Sequence, residues 1–177
     1  MRRVEPAGRS LESRRDSRCR TRRLSRPRRT VGGASRFDGR RVFDRCNEAY
    51  GSTEVRVPTP GGEKLGSVSA AVADTPERKQ LGPSDTESLP ETCAMLFVYD
   101  DVGERTFVMP EMSFGIDIVF ADDEGVITEV HHAPEPGPDE DGLEHTSPGR
   151  GQYVLETVCE WTADPDVEEG DVLRFAR

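Results

Sequence analysis

The sequence has 177 residues, which suffices for one ordinary domain and a tail but not for two hydrophobic cores. Residues 1–50 contain sixteen Arg, no Lys and six acidic residues, whereas residues 51–177 contain eight basic and twenty-eight acidic residues. The acidic part lacks the clustered cations that phosphate binding requires, which argues against nucleic acid as its partner. No apolar run of about 18 residues is present, so we expect no membrane-spanning helix.

The basic leader, residues 1–50, shows neither the helical nor the two-residue apolar period. It would bury too little apolar surface to offset the entropy lost on ordering, so we expect disorder. The leader is either a basic arm that contacts nucleic acid or the acidic domain, or the product of a start site assigned too far upstream. No apolar segment follows Arg2 and Arg3, as an export signal would require. We therefore expect a cytoplasmic protein, with export as the alternative if the natural N-terminus differs.

Residues 51–177 are expected to form a single acidic domain with a formal charge of −20. Acidic runs occupy expected turns, among them residues 122–124 and 139–141. Near 1 M salt the Debye length is roughly 3 Å, so the repulsion among these charges would be largely screened. This composition is typical of a protein from a salt-accumulating halophile, and an ordinary acidic cytosolic protein is the alternative.

Two strands are predicted at the start of the domain. Val55 and Val57 alternate with polar residues and indicate a strand that ends in a turn at residues 59–62. The period-two pattern of residues 68–72 indicates a second strand, which ends at Asp74.

One short helix is predicted directly after this strand. Asp74 or Thr75 can cap its N-terminus, Pro76 occupies the first turn, and the helix ends at residues 82–83. A loop is expected from there to residue 92.

The rest of the domain is predicted to consist of strands and turns. The expected strands cover residues 95–99, 105–109, 115–121, 126–132, 153–161 and 171–176. Turns are expected at residues 100–103 and 164–165, and a long acidic loop at residues 133–151. The fold class is therefore mainly β, an antiparallel β-sandwich or partly closed barrel with one or two short helices.

Cysteine spacing excludes a metal or redox pair of the CxxC type. The four cysteines are Cys19, Cys46, Cys93 and Cys159. We expect them to be small buried or half-buried thiols.

Several ordered blocks resemble the family known as domain of unknown function 192. The blocks are SLPE at 88–91, MLFVY at 95–99, RTFVM at 105–109, GIDIVF at 115–120, YVLE at 153–156, Trp161, and GDVLRF at 170–175. The resemblance implies a compact jelly-roll β-sandwich without an established activity. This chain has Val108-Met109-Pro110-Glu111-Met112 where family members have Trp-Met-Lys-Asn-Thr, so only Met109 is retained. The usual Gly-Leu-Met after the short helix is reduced to residues 81–83.

Two carboxylates occupy strand positions that should face an apolar interior. Glu156 alternates with Val154 and Val158, and Asp117 shares a strand face with Val119. An acid in such a position must be hydrogen-bonded, paired, or placed at a cleft. They are ligand-binding or acid–base groups with raised pKa values, or structural groups that accept backbone hydrogen bonds or pair with an arginine.

The sequence contains no strong metal or catalytic motif. His131 and His132 are adjacent on a strand and should face opposite sides, and His145 lies in the acidic loop. No HExxH, GxSxG, P-loop or GxGxxG pattern is present, so we expect no metal, no cofactor and no assigned catalytic residue.

The leading functional hypothesis is a non-catalytic small-molecule or carbohydrate binding or accessory module. The candidate binding residues are Met109, Glu111, Asp117, His131, Glu156 and Trp161. A hydrolase that uses Asp117 and Glu156 as a carboxylate pair is one alternative, provided that the two groups converge. A structural or partner-binding domain without a cleft is the other.

Overall fold

The structure, a computed structural model, describes residues 50–58, 64–84, 86–163 and 166–176. Residues 1–49, which make up nearly all of the basic leader, lie outside the described residues. The turns expected at residues 59–62 and 164–165 also lie outside them.

Six strands and one short helix make up the regular structure of the described residues. In chain order they are β1 (Gly51–Pro58), β2 (Lys64–Ala73), α1 (Pro76–Leu81), β3 (Cys93–Phe107), β4 (Ile116–Ala121), β5 (Ile127–Ala133) and β6 (Ser147–Val158). The mainly β prediction is confirmed.

All six strands belong to one mixed sheet with the order β1-β2-β3-β6-β4-β5. Every neighbouring pair is antiparallel except β2 and β3, which run parallel, so the expectation of purely antiparallel pairing was wrong at this one position. Helix α1 lies in the connection from β2 to β3, as a connection between parallel strands requires a crossover.

The sheet does not close through its strands, but the C-terminal segment reaches both of its edges. Arg174 forms a bridge with Arg56 of β1, and Val172 forms a bridge with Val126 immediately before β5. These isolated bridges replace the closing strand predicted for residues 171–176. They bring one short segment against both edges of the sheet, which is not itself closed.

Each face of the sheet carries its own hydrophobic cluster, because successive side chains of a strand point to opposite faces. We call one side the aromatic face. Its buried residues include Met95, Phe97, Met109, Met112, Ile116, Ile118, Phe120 and Val154. We call the other side the aliphatic face. Its buried residues include Val55, Val57, Val68, Leu96, Val119, Ile127, Tyr153, Leu155 and Leu173.

Strand β3 runs through the turn that was predicted at residues 100–103. Its pairing with β6 shifts between Val98 and Gly103, which accommodates the turn-forming residues as an irregularity rather than a reversal. Arg105 stabilises the irregular stretch by donating hydrogen bonds to the carbonyl oxygens of Asp101 (2.7 Å) and Gly151 (3.1 Å). Long-range pairing with β6 therefore overrides the local turn preference.

Strand β6 begins at Ser147, inside the stretch that was expected to be loop up to residue 151. Gly149 permits this pairing, because a Cβ atom there would lie 2.6 Å from the ring of Phe120. The absent side chain lets that ring lie directly over the β6 backbone. The long loop is thus confined to residues 134–146.

Helix α1 has the capping that its sequence predicts. Thr75 accepts a hydrogen bond from the backbone N–H of Arg78, and Gly82 ends the helix with a φ of 51°. Within the described ranges, no helix has the length and apolar character needed to cross a membrane.

The two cysteines in the described ranges are not thiols. Cys93 and Cys159 are both buried and both disulfide-bonded. The expectation of small buried thiols was therefore wrong for these two positions. Wide spacing argues against a CxxC pair, but it does not exclude cross-links between distant segments.

Candidate functional site

Two adjacent rows of side chains form a polar band across an otherwise apolar sheet. The first row crosses the aromatic face in the order Met95, Glu156, Ile118, His131. The second row crosses the aliphatic face in the order Ala94, Thr157, Asp117, His132. The band therefore contains both carboxylates and both strand histidines that the sequence singled out.

Asp117 and Glu156 lie on opposite faces of the sheet. Asp117 pairs with Thr157, and the next residue, Ile118, pairs with Glu156. Directly opposed residues share a face, whereas neighbours along a strand do not. The two carboxylates therefore do not converge on one concavity, and the hydrolase that needs them as a pair loses its geometric basis.

Asp117 is a fully buried carboxylate with a complete set of donors. Its Oδ1 atom accepts hydrogen bonds from the backbone N–H of Glu160 (3.2 Å) and lies 2.8 Å from Nδ1 of His132. Its Oδ2 atom accepts from the backbone N–H (2.9 Å) and the hydroxyl (2.8 Å) of Thr162. These contacts tie the turn after β6 to β4 and β5, which is a structural role for this carboxylate.

His132 is the partner of Asp117 that reaches solvent, since about half of its side chain is exposed. The hydrogen bond to Asp117 raises the pKa of His132, and partial burial opposes this shift. The charges of Asp117 and Glu160 raise it further. When it is protonated, His132 is therefore a counter-ion to the Asp117 carboxylate.

Glu156 is buried without the partners that Asp117 has. Its Oε2 atom is inaccessible and has no hydrogen-bond partner among the described residues. Met95 and Ile118 lie directly opposite it on the two neighbouring strands. Burial raises the pKa of Glu156 to about 8, so the group is a neutral carboxylic acid at pH 7. The structural role predicted for Asp117 therefore does not extend to Glu156.

His131 ends the same row at the edge strand β5. Its Nε2 atom is buried and lies 3.4 Å from an oxygen of Glu129, without forming a hydrogen bond. Its ring packs edge-on against Phe120, with 5.7 Å between the centroids. Only Ile118 separates His131 from Glu156 across the sheet.

An aromatic series lines the face on which Glu156 lies. Phe97 and Phe107 pack edge to face at 5.0 Å, and Phe107 and Phe120 do so at 5.7 Å. With His131 these rings form a continuous wall from β3 to β5. The buried acid and the histidine are thus set beside an apolar, polarisable surface.

Two basic side chains of the domain meet at Tyr99, near this face. The guanidinium of Arg105 lies 3.5 Å from the ring centroid of Tyr99, and the ammonium of Lys79 lies 4.4 Å from it. Burial raises the pKa of Tyr99, the Arg105 charge opposes this shift, and the charge of Glu156 adds to it. Tyr99 is therefore within electrostatic range of both Arg105 and the buried acid.

The other predicted site residues do not join one cleft. Met109 is buried in the cluster of the aromatic face, where the backbone N–H of Met109 donates to the Gly142 carbonyl (3.1 Å) and anchors the acidic loop. Glu111 is exposed and has a φ of 55°. Trp161 is half-buried against the aliphatic face. Only Glu156, His131 and Met109 share the aromatic face.

The sequence reasoning missed His132 and Thr162 as partners of Asp117. Strand parity assigns His132 to the face opposite His131, but it cannot show that this face holds Asp117. Thr162 lies in a turn after β6, and no local signal marks its contact with β4.

The described residues contain no group of three His, Cys, Asp or Glu side chains arranged to hold a metal ion. His145, the third histidine, instead lies 2.8 Å from a carboxylate oxygen of Glu140 within the acidic loop. That oxygen also accepts from the backbone N–H of Gly137 at 2.7 Å, and the two contacts lower the pKa of Glu140. The Glu140 carboxylate thus links His145 and Gly137 within the acidic loop.

One described family has a sequence model that matches most of this β domain. The model of that family, domain of unknown function 192 ("Uncharacterized ACR"), matches residues 57–175. The chain belongs to this family, and the match extends the resemblance seen in the sequence to β2 and the last two residues of β1. Among curated proteins, no relative matches the chain.

Two solved structures share the fold. A putative transcription regulator from Sinorhizobium meliloti 1021 has a TM-score of 0.63 and 21% identity, with coverage of 71% of this chain and 95% of that chain. A protein of unknown function from Novosphingobium aromaticivorans DSM 12444 has a TM-score of 0.60 and 19% identity, with coverage of 81% and 99%. At these identities the likeness shows the fold alone.

Proposed function

We propose that the domain is a non-catalytic module that binds a small molecule on the aromatic face of its sheet. The observation that carries this proposal is the buried Oε2 atom of Glu156, which has no hydrogen-bond partner among the described residues. A buried polar atom without a partner is costly in a folded protein, and a ligand that supplies the missing contact removes that cost.

The surroundings of Glu156 suit a small ligand. Aromatic rings provide stacking surface, and Met95, Met109 and Met112 belong to the same cluster. Methionine side chains are flexible and repack readily around a guest. The partly buried Phe107 and Phe114 pack at the border of this cluster, and we propose that a ligand enters past them.

The six residues named from the sequence receive different roles in this proposal. Glu156, His131 and Met109 line the binding site on the aromatic face. Asp117 holds the turn after β6 in place, and neither Glu111 nor Trp161 contributes to the site.

Methionine methyl signals give a direct test of the binding proposal. Full-length protein labelled with 13C at the methionine methyl groups would be titrated with glucose, trehalose, ethylammonium and acetate. We expect at least one of these probes to shift the Met95 signal in a saturable way in wild type. We expect the same for Glu87→Gln, a control at an exposed acid. In Glu156→Gln the response should be lost, and no saturable shift with any of the four probes in wild type would contradict the proposal and favour a structural or partner-binding domain.

Composition and cysteine bonding lead to three further proposals about the setting of the protein. We infer that the domain works in concentrated salt, because twenty-eight acidic residues accompany only eight basic residues in positions 51–177. The same excess of acids argues against nucleic acid binding by this domain.

The disulfide bonding of Cys93 and Cys159 supports the export alternative over a cytoplasmic location, since such bonds persist in oxidising compartments. Resistance of both cysteines to alkylation in freshly isolated protein would be expected, and labelling without prior reduction would contradict it.

A further inference from the structure

We propose that the ligand of the aromatic face is a small organic cation, an alkylammonium ion, for which the carboxylate of Glu156 is the counter-ion. This assignment rests on the proposed binding function and names the chemical class of its ligand.

The first argument is the kind of polar atoms that the site offers. Glu156 Oε2 and His131 Nε2 are both buried, neither forms a hydrogen bond within the described residues, and both lie in one row across the sheet. An ionised Glu156 carboxylate offers acceptors only, and a neutral imidazole offers one acceptor nitrogen. The Glu129 carboxylate, with an oxygen 3.4 Å from His131 Nε2, adds further acceptors. An ammonium group carries donors only and matches such a set.

The second argument is the aromatic wall. The rings of Phe97, Phe107 and Phe120 lie in series beside the row that contains Glu156. Aromatic faces attract desolvated cations, whereas they give no such preference to an anion. The alkyl part of the ligand would pack against the methionines of the same cluster.

The third argument is that the two basic residues that contact Tyr99 are engaged elsewhere. Arg105 is bonded to Asp101 and Gly151 and stacks on Tyr99, and Lys79 lies over the same ring. No ion pair joins Glu156 to an arginine or lysine within the described ranges. The titratable groups near Glu156 are Tyr99 on β3, with those two cations, and His131 and Glu129 on β5. A counter-charge in direct contact with Glu156 would therefore come from the ligand.

The fourth argument is long-range attraction. The formal charge of −20 on residues 51–177 raises the local concentration of cations and repels anions. A neutral sugar gains nothing from this field. Charge therefore favours the ammonium class among small polar ligands.

The proposal requires a defined proton balance. Below pH 8 the Glu156 carboxyl is protonated in the unliganded protein, so binding of an alkylammonium ion releases that proton to the buffer while the ammonium group keeps its own protons. The affinity should therefore rise about tenfold for each pH unit between pH 6 and 8, and level off above that. A neutral ligand would release no proton.

Isothermal titration calorimetry of the full-length protein in molar potassium chloride tests this balance. Ethylammonium chloride would be titrated at pH 6, 7 and 8, in buffers of different ionisation enthalpy, with n-propanol as the neutral analogue of similar size. We expect ethylammonium to bind with release of close to one proton per ligand at pH 6, and n-propanol to bind much more weakly. Glu156→Gln should abolish binding, His131→Gln should weaken it with the pH dependence retained, and Glu87→Gln should match wild type.

The outcomes separate the two proposals. Saturable binding of glucose or trehalose at Met95 without ethylammonium binding would leave the binding function standing and overturn the ammonium assignment. Ethylammonium binding without proton release, or unchanged in Glu156→Gln, would also overturn it. If none of the four probes shifts the Met95 signal, both proposals fail. Circular dichroism of each variant shows whether a loss of binding reflects a loss of folding.

Discussion

At the scale of single residues, the two buried carboxylates of the sheet illustrate two ways of accommodating an acid. Asp117 is surrounded by hydrogen-bond donors, whereas burial raises the pKa of Glu156 to about 8 and keeps it protonated at pH 7. The first arrangement stabilises a turn. The second leaves a polar atom available for a ligand.

Replacement of Glu156 by Gln should stabilise the protein, and the gain in the free energy of unfolding should increase as the pH rises from 4.5 toward 8. A carboxyl group with a pKa near 4.5 when unfolded and about 8 when folded binds more protons in the folded state between these values, so stability falls as pH rises through that window. Gln removes this dependence. Chemical denaturation should show no large difference at pH 4.5 and a gain on the order of 3 kcal/mol at pH 7. A variant less stable than wild type at both pH values would show that Glu156 has a partner that stabilises its charge.

Replacement of His132 by Gln should have the opposite pH profile. Because the folded pKa of His132 lies above 6.5, its contribution is fully present below pH 6.5 and is lost as pH rises through the folded pKa. We expect a loss of about 1 kcal/mol at pH 6, since half of the side chain is exposed, and a smaller loss at pH 9. Urea titrations at the two pH values measure it. An equal loss at both would mean that packing, and not charge, explains the contact with Asp117.

At the scale of elements, close packing of Phe120 on β6 depends on one glycine. A Cβ atom at position 149 would lie 2.6 Å from the Phe120 ring, which is fully buried between Phe107 and His131. Gly149→Ala should therefore destabilise the domain by about 1–3 kcal/mol. Gly51→Ala is the matched strand control, because nothing lies within 4 Å of its Cβ position. Equal melting temperatures of the two variants would contradict the packing described for the aromatic face.

The strands themselves could largely be predicted from the sequence, whereas their relative register could not. Alternation correctly assigned Glu156 and Asp117 to apolar faces of their own strands. It could not show that these are different faces of one sheet, since a slip of one residue in the pairing would reverse the result. The register is set by packing between distant segments, such as Leu96 with Leu155 and Val119 with Leu155.

Local turn signals failed for a related reason. Asp100, Asp101 and Gly103 are typical turn residues, yet β3 runs through them and resumes pairing with β6 at Gly103. Pro148 and Gly149 are unfavourable in strands, yet they pair with Thr106 and Arg105. The partner strand supplies hydrogen bonds that no local pattern records. The helix, whose caps are local, was predicted correctly.

At the scale of the whole molecule, the excess of negative charge should make stability depend on salt. Repulsion among the acidic residues is screened as the Debye length falls from about 10 Å at 0.1 M to about 3 Å at 1 M. We expect the melting temperature to rise on the order of 10 °C between 0.1 M and 2 M potassium chloride. Sucrose at equal osmolality is the control, because it stabilises without screening. An equal rise in sucrose and in salt would contradict the inference of a high-salt habitat.

Membership in the family and the two shared folds agree with this picture of a compact β domain, and they assign it no ligand. The proposal of a binding module therefore depends on one carboxyl group that is buried without a hydrogen-bond partner for its Oε2 atom among the described residues. A partner that ionised Glu156 in the absence of ligand would remove the reason to place a ligand there.

Direct titration of Glu156 by carboxyl 13C NMR is the measurement that tests this central point. With the signal assigned by its absence in Glu156→Gln, we expect a midpoint near pH 8 in the protein alone. Saturating ethylammonium should move the midpoint to a lower pH. A midpoint near 4.5 without ligand, the ordinary value of a glutamate, would contradict the account.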